Sequence, residues 1–217
     1  TVVIMIDGFD PEYLECCPTS NLRSLAKQGF MGEARAMMPT GTNVNNVSLI
    51  TASYPEVHGI TSNYWLNRET GEEAYMESGD YVLAETMFQR AGKNGARSLL
   101  VTAKDKLRLL LGKGMTGGIC FSSEKADTCT LAEHGIENVL ELVGWPLPDV
   151  YSAELSLFAM EAGIKLLQRD RPELMYLSLT DYVQHAHAPG SPEANDFYHR
   201  LDDAFGRLHA LGAVVAI

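Results

Sequence analysis

Three short stretches carry residue types that do chemistry on anions. The first runs Pro39-Thr40-Gly41-Thr42-Asn43-Val44-Asn45-Asn46 and leads into the apolar-periodic Val47-Ser48-Leu49-Ile50. Turn residues followed by such a pattern read as a loop opening a helix. A hydroxyl at that junction, Thr42, stands where backbone N–H groups point outward and the helix dipole favours negative charge. That suits a nucleophile attacking phosphorus. The alternative is that Thr42 or Asn43 only caps the helix. The second stretch is Asp181-Tyr182-Val183-Gln184-His185-Ala186-His187. A carboxylate and an imidazole four residues apart reach one metal ion if the segment forms a helical turn. Otherwise they are a cap and a surface residue. The third is Lys104-Asp105-Lys106, whose two ammonium groups hold a carboxylate or phosphate, or simply belong to a solvated loop. Asn63 and Tyr64 follow a turn-rich loop around His58 and are further substrate-contact candidates. His58, His134, His199 and His209 read as surface or structural residues, and the methionines as core filling.

Elements must position these groups. Thr1–Ile6 is a short apolar run ending in Asp7-Gly8, and 174–180 is another ending in Asp181; both read as buried parallel strands with a carboxylate at the C-terminal end. Further strands are expected at 30–38, 96–102, 119–121 and 213–217, and helices at 21–28, from the first stretch to 53, and at 82–91, 135–143, 152–169 and 192–211. Residues 61–79 have no clear period and read as loop with short strands. Alternating strands and helices predict an α/β fold, a mainly parallel sheet with helices on both faces. Ligands bind such folds at the C-terminal strand edge, where Asp7 and Asp181 both fall.

The totals bound the partners. The 217 residues carry 17 Lys and Arg against 28 Asp and Glu, a net charge of −11 that argues against nucleic acid. An acidic chain that binds an anion needs local positive charge. No apolar run is long enough to span a bilayer, so no membrane partner is expected. Cys16, Cys17, Cys120 and Cys129 lack metal spacing and read as reduced thiols in a cytoplasmic protein.

Asp7-Gly8, Pro39-x-x-Thr42-x-x-Asn45, Pro55-x-x-His58-Gly59-Ile60 and Asp181-x-x-x-His185 form an ordered set. Together they resemble the alkaline phosphatase superfamily on its nucleotide pyrophosphatase/phosphodiesterase side. Thr102-Ala103-Lys104-Asp105-Lys106-Leu107 and 178–190 extend the likeness toward the phosphonoacetate hydrolases. The resemblance implies two zinc ions, with Thr42 and Asp7 on one and Asp181 and His185 on the other. It makes Thr42 the nucleophile and the site of a phospho-threonine intermediate. Asn45 and Asn63 contact the phosphonate, and Lys104 and Lys106 hold the carboxylate of phosphonoacetate, which is cleaved to acetate and phosphate. The implied domain is the N-terminal part of one catalytic domain over 1–217, with a substrate-binding or cap insertion around 104–150. A homodimer is compatible with it.

One departure matters. The family completes its zinc sites with a later Asp-His pair and a further His, which these residues do not include. Each site is then half built, short of the usual roughly four ligands. The 217-residue chain alone is expected to bind zinc weakly, turn over little and leave an aggregation-prone sheet edge. Two other functions compete: a phosphate mono- or diester hydrolase using the same metals and Thr42, and a non-catalytic fragment binding a partner or anion.

Overall fold

Apolar runs of four or five residues, rich in Val, Leu and Met, bury both faces as parallel strands; intervening amphipathic segments cover them. The computed structural model describes all residues, Thr1–Ile217. In chain order the first elements are β1 (Val2–Met5), α1 (Pro11–Cys16), α2 (Ser20–Gln28), α3 (Thr42–Thr51), α4 (Pro55–His58), β2 (Tyr64–Leu66), β3 (Glu73–Tyr75) and α5 (Met87–Lys93). Then come β4 (Ser98–Thr102), α6 (Asp105–Leu111), β5 (Ile119–Ser122), α7 (Leu131–His134), α8 (Val139–Val143) and α9 (Glu154–Asp170). The last are β6 (Leu174–Ser178), α10 (Tyr182–Ala186), α11 (Pro192–Ala210) and β7 (Val215–Ala216). The main sheet is wholly parallel, in the order β5-β4-β6-β1-β7, and β2-β3 is a separate antiparallel hairpin.

Alternate residues of each strand feed two cores. Val2, Ile4, Leu99, Val101, Met175 and Leu177 pack under α9 and α11, against Phe158, Leu166, Phe197 and Leu201. Leu100 and Tyr176 turn the other way and meet Val44, Val47 and Ile50 of α3, Phe88 of α5, and Leu107 and Leu110 of α6. The expected α/β architecture is therefore present. No helix is long and apolar enough to cross a membrane, and all four cysteines are free.

Several expected boundaries move. Residues 30–38 form no strand: they are largely exposed, with Phe30 93% accessible, and lack a ladder partner. A strand exists only by pairing, and β1, which could have taken a neighbour, is already flanked by β6 and β7. The helix expected from Val82 starts at Met87, because Thr86 and Gln89 close a capping box there. The helix expected over 135–143 begins only at Val139, because Gly135 caps α7 in the left-handed region, φ 71°, and Asn138 is left-handed as well, φ 56°. Around 104–150, β5 is an edge strand of the main sheet and α6 packs against β4 and β5.

His58 closes the short helix α4 and is fully buried. Its Nδ1 accepts the Ile60 N–H at 3.1 Å. The proton must then sit on Nε2, which donates to Ser48 Oγ at 2.9 Å, while that hydroxyl donates to the Val44 carbonyl at 2.8 Å. The imidazole thus bolts the loop after α3 back onto α3. Burial holds its basicity below the ordinary histidine value. A depressed folded pKa means stability that is whole above the unfolded value, about 6.5, and lost as pH falls through it. Urea unfolding should show stability declining from about pH 7 toward pH 5, with His58→Gln about 2 kcal/mol less stable at neutral pH and less sensitive to acid. An identical pH slope in the two proteins would refute the assignment.

Candidate active site at the C-terminal strand edge

Parallel pairing of β1 with β6 sets the site. Met5 lies opposite Ser178, and the Leu179 N–H donates to the Met5 carbonyl at 2.9 Å. Asp7 and Asp181, just beyond, therefore emerge side by side. Gly8 permits this approach: its φ is +73°, and a β-carbon there would lie 3.0 Å from Gln184 Cβ and 3.4 Å from Asp181 Cβ. Burial raises the Asp7 carboxyl above the usual range, the Thr42 hydrogen bond lowers it, and the nearby Asp181 carboxylate raises it.

Thr42 is not the cap of α3. Gly41 occupies that position and has no side chain to offer. Thr42 is the first helical residue, and its Oγ1 donates to Asp7 Oδ2 at 2.8 Å. Between capping and presenting a hydroxyl to a carboxylate, the geometry selects the second. Asp181 and His185 do form a helical turn, with His185 Nε2 and Asp181 Oδ2 2.9 Å apart and the imidazole 80% exposed. The His187 ring turns instead toward Glu193, 3.7 Å away.

The three asparagines of the opening turn do different things. Asn43 donates from Nδ2 to the Met76 carbonyl at 2.8 Å, and its N–H donates to Asn63 Oδ1 at 3.1 Å. Asn63 Oδ1 is the atom that faces Gly41, and its Nδ2 donates to no protein acceptor. Asn45, expected as a phosphonate contact, has both ends of its carboxamide engaged. Its Oδ1 accepts the Met37 N–H at 2.9 Å and its Nδ2 donates to the Gly41 carbonyl at 3.2 Å. Asn46 is buried; its Oδ1 accepts from Tyr176 Oη at 2.9 Å and Ser178 Oγ at 3.0 Å, and its Nδ2 donates to the Thr42 carbonyl at 3.0 Å. Sequence reasoning missed Asn46 as the tie between the first turn of α3 and β6. Its only signal was the spacing of one helical turn from Thr42.

Lys104 caps α6 and Lys106 lies in its first turn. Between them Asp105 points inward, where its Oδ1 accepts from Arg108 Nε at 2.8 Å and from Ser122 Oγ at 2.8 Å. The Asp105 carboxylate therefore serves Arg108 and leaves both lysines unneutralised. Lys106 Nζ donates to Tyr75 Oη at 2.9 Å, and Lys104 Nζ lies 5.3 Å from the centre of the Tyr151 ring.

A cleft of about 890 Å³ opens at this edge, lined by Asp7, Asp181, Asn45, Arg35, Leu49 and Tyr54 among others. A second, of about 730 Å³, lies by the start of β4 and β5. Its Arg108 is already paired with Asp105 and Glu133. No three His, Cys, Asp or Glu side chains converge as a metal cluster; the donors come as two pairs, Asp7 with Thr42 and Asp181 with His185. Oxygen and nitrogen donors of these kinds suit zinc. A cation would also relieve the repulsion between Asp7 and Asp181. The pairs fit such ions in type but not in number.

The fold and the paired strand-end carboxylates define a parallel α/β scaffold whose candidate site lies at the C-terminal strand edge. The family model for type I phosphodiesterase/nucleotide pyrophosphatase matches residues 1–211, and the chain belongs to that family of metal-dependent hydrolases. The chain is similar to phosphonoacetate hydrolase from Sinorhizobium meliloti 1021, solved with phosphonoformate. The identity is 46% and the TM-score 0.95, over 99% of this chain and 54% of that one. The same enzyme solved with phosphonoacetate superposes with a TM-score of 0.94. An uncharacterised pyrophosphatase/phosphodiesterase of Schizosaccharomyces pombe is 28% identical over 95% of this chain and 39% of its own length. Mouse ectonucleotide pyrophosphatase/phosphodiesterase family member 1 is 24% identical over 96% and 21%. The chain thus spans about half or less of these relatives.

Replacing Asn46 with Ala should cost about 2–4 kcal/mol, because the buried hydroxyls of Tyr176 and Ser178 lose their acceptor. Urea denaturation checks this, and a change under about 0.5 kcal/mol would remove Asn46 from the support of α3.

Proposed function

We propose that this chain forms the nucleophile-bearing part of a zinc-dependent hydrolase that cleaves the C–P bond of phosphonoacetate to acetate and phosphate. Lys104 and Lys106 carry this assignment. Two unneutralised ammonium groups just past β4, at the same C-terminal strand edge as the Thr42–Asp7 pair, are what a substrate with both a phosphonate and a carboxylate requires. The likeness to phosphonoacetate hydrolase supports it.

Asp7 and Thr42 would hold one zinc ion, and Asp181 and His185 the other. Bound zinc supplies Lewis acidity, which lowers the proton affinity of a bound oxygen and stabilises charge on phosphorus oxygens. Thr42 Oγ1 is the nucleophile, its proton aimed at Asp7 in the resting geometry. Its attack forms the O–P bond of a phospho-threonine and breaks C–P. The electron pair leaves on the methylene carbon and delocalises into the adjacent carboxylate as an enediolate-like group. Lys104 and Lys106 stabilise that charge, and a proton from solvent completes acetate. Water then cleaves the phospho-threonine to phosphate. Asn63, its Oδ1 fixed by the Asn43 N–H, directs Nδ2 at a phosphonyl oxygen. With its amide bonded to the chain, Asn45 secures the loop instead.

The family match also supports a second reading, phosphate mono- or diester hydrolysis by the same Thr42. Substitution separates the two. In the whole gene product, Lys104→Ala/Lys106→Ala should lower phosphonoacetate cleavage by at least about 10³-fold while p-nitrophenyl phosphate hydrolysis stays within about fivefold. Thr42→Val should abolish both. Phosphonoacetate cleavage that survives the double substitution leaves the ester reading. Loss of neither activity with Thr42→Val refutes the nucleophile. With two donors per ion, the 217-residue chain alone should take up zinc weakly; stoichiometric zinc retained through gel filtration would contradict this.

A further inference from the structure

Lys106 has no carboxylate to hold it, and a free lysine carries several rotatable bonds, worth up to about 2 kcal/mol in lost rotamer freedom on fixing. Yet its Nζ is seated 2.9 Å from Tyr75 Oη and 4.4 Å from the Tyr75 ring centre. Tyr75 is the last residue of β3, paired with Tyr64 of β2, and their rings meet edge-on at 4.8 Å. The base of this hairpin is tied to the nucleophile helix. The Met76 N–H donates to the Asn63 carbonyl at 2.8 Å. The Met76 carbonyl accepts from Asn43 Nδ2 at 2.8 Å, and the Asn43 N–H donates to Asn63 Oδ1 at 3.1 Å. A continuous set of short hydrogen bonds therefore runs from the residue after Thr42, through Asn63 and Met76, to Tyr75 and the ammonium of Lys106. Lys104 has no such anchor: its partner Tyr151 is 73% exposed and reaches it only across the ring face.

We propose that Tyr75 is a positioning residue for Lys106, and that the β2-β3 hairpin sets the spacing between the Thr42 hydroxyl and the carboxylate-binding ammonium. The inference rests on the carboxylate role given to the lysines above. The hairpin then selects substrates by the number of carbons between phosphorus and carboxylate, favouring one methylene. Tyr75 Oη accepts one N–H of the ammonium, which keeps its other two for substrate. Lys104 follows the carboxylate, whereas Lys106 defines where it must be.

The test uses Tyr75→Phe, which keeps the ring and removes the hydroxyl, in the whole zinc-loaded gene product. Its kcat/KM for phosphonoacetate should fall about 10-fold or more, with p-nitrophenyl phosphate hydrolysis within about twofold of the parent. Inhibition of that ester hydrolysis by phosphonoformate, phosphonoacetate and 3-phosphonopropionate should lose its dependence on chain length. Lys106→Ala should equal Lys106→Ala/Tyr75→Phe, since the hydroxyl acts only through the ammonium. An unchanged phosphonoacetate kcat/KM in Tyr75→Phe, an equal loss of both activities, or additive effects in the double variant would each overturn the proposal. Lys106→Ala that cleaves phosphonoacetate normally would instead overturn the carboxylate role itself.

Discussion

Two carboxylates on the ends of adjacent parallel strands are the constraint on which the edge of this sheet depends. The β1-β6 register brings Asp7 and Asp181 out together, and nothing in the strands themselves separates their charges. Asp7 is answered by the Thr42 hydroxyl, and Asp181 by the His185 ring and the Thr180 hydroxyl. Hydroxyls and an imidazole relieve only part of that repulsion, so the edge is electrostatically suited to cations. Under the proposed function, bound cations and the two lysines would supply the local positive field that the net charge of −11 lacks.

Holding the hydroxyl there falls to polar groups. Asn46 reaches through the sheet face to Tyr176 and Ser178, Asn43 to the hairpin, and Ser48 to His58. These bonds act beside the apolar packing of Val44, Val47 and Ile50. Apolar contacts are non-directional, however, and would let α3 slide or rotate. Directional bonds from three faces of its first two turns leave the helix one position.

Much of this was legible in the sequence. A short apolar run ending in Asp-Gly or Asp marks a buried strand and its C-terminal edge, so Asp7, Asp181 and the α/β architecture could be read directly. The i, i+4 spacing of Asp181 and His185 brings the two together because α10 forms. What the Asn43, Asn45 and Asn46 side chains meet could not be read. A helix turns each residue by about 100° from the last, so three identical amides face the hairpin, the preceding loop and the sheet, and only tertiary structure says what lies in each direction. Segment 30–38 departs from expectation for a related reason, since a strand depends on pairing with a neighbour. Asp105 could not be distinguished from its flanking lysines until Arg108 and Ser122 were seen to claim it.

Asn45 is also a mechanical link. It joins the Met37 N–H, at the end of the exposed segment, to the Gly41 carbonyl that opens α3. The two are thermodynamically linked: whatever free energy orders residues 30–37 is returned, in part, as reduced freedom of the turn that carries Thr42, and the reverse holds equally. Order in the exposed segment and order in the nucleophile's turn therefore share one amide, that of Asn45.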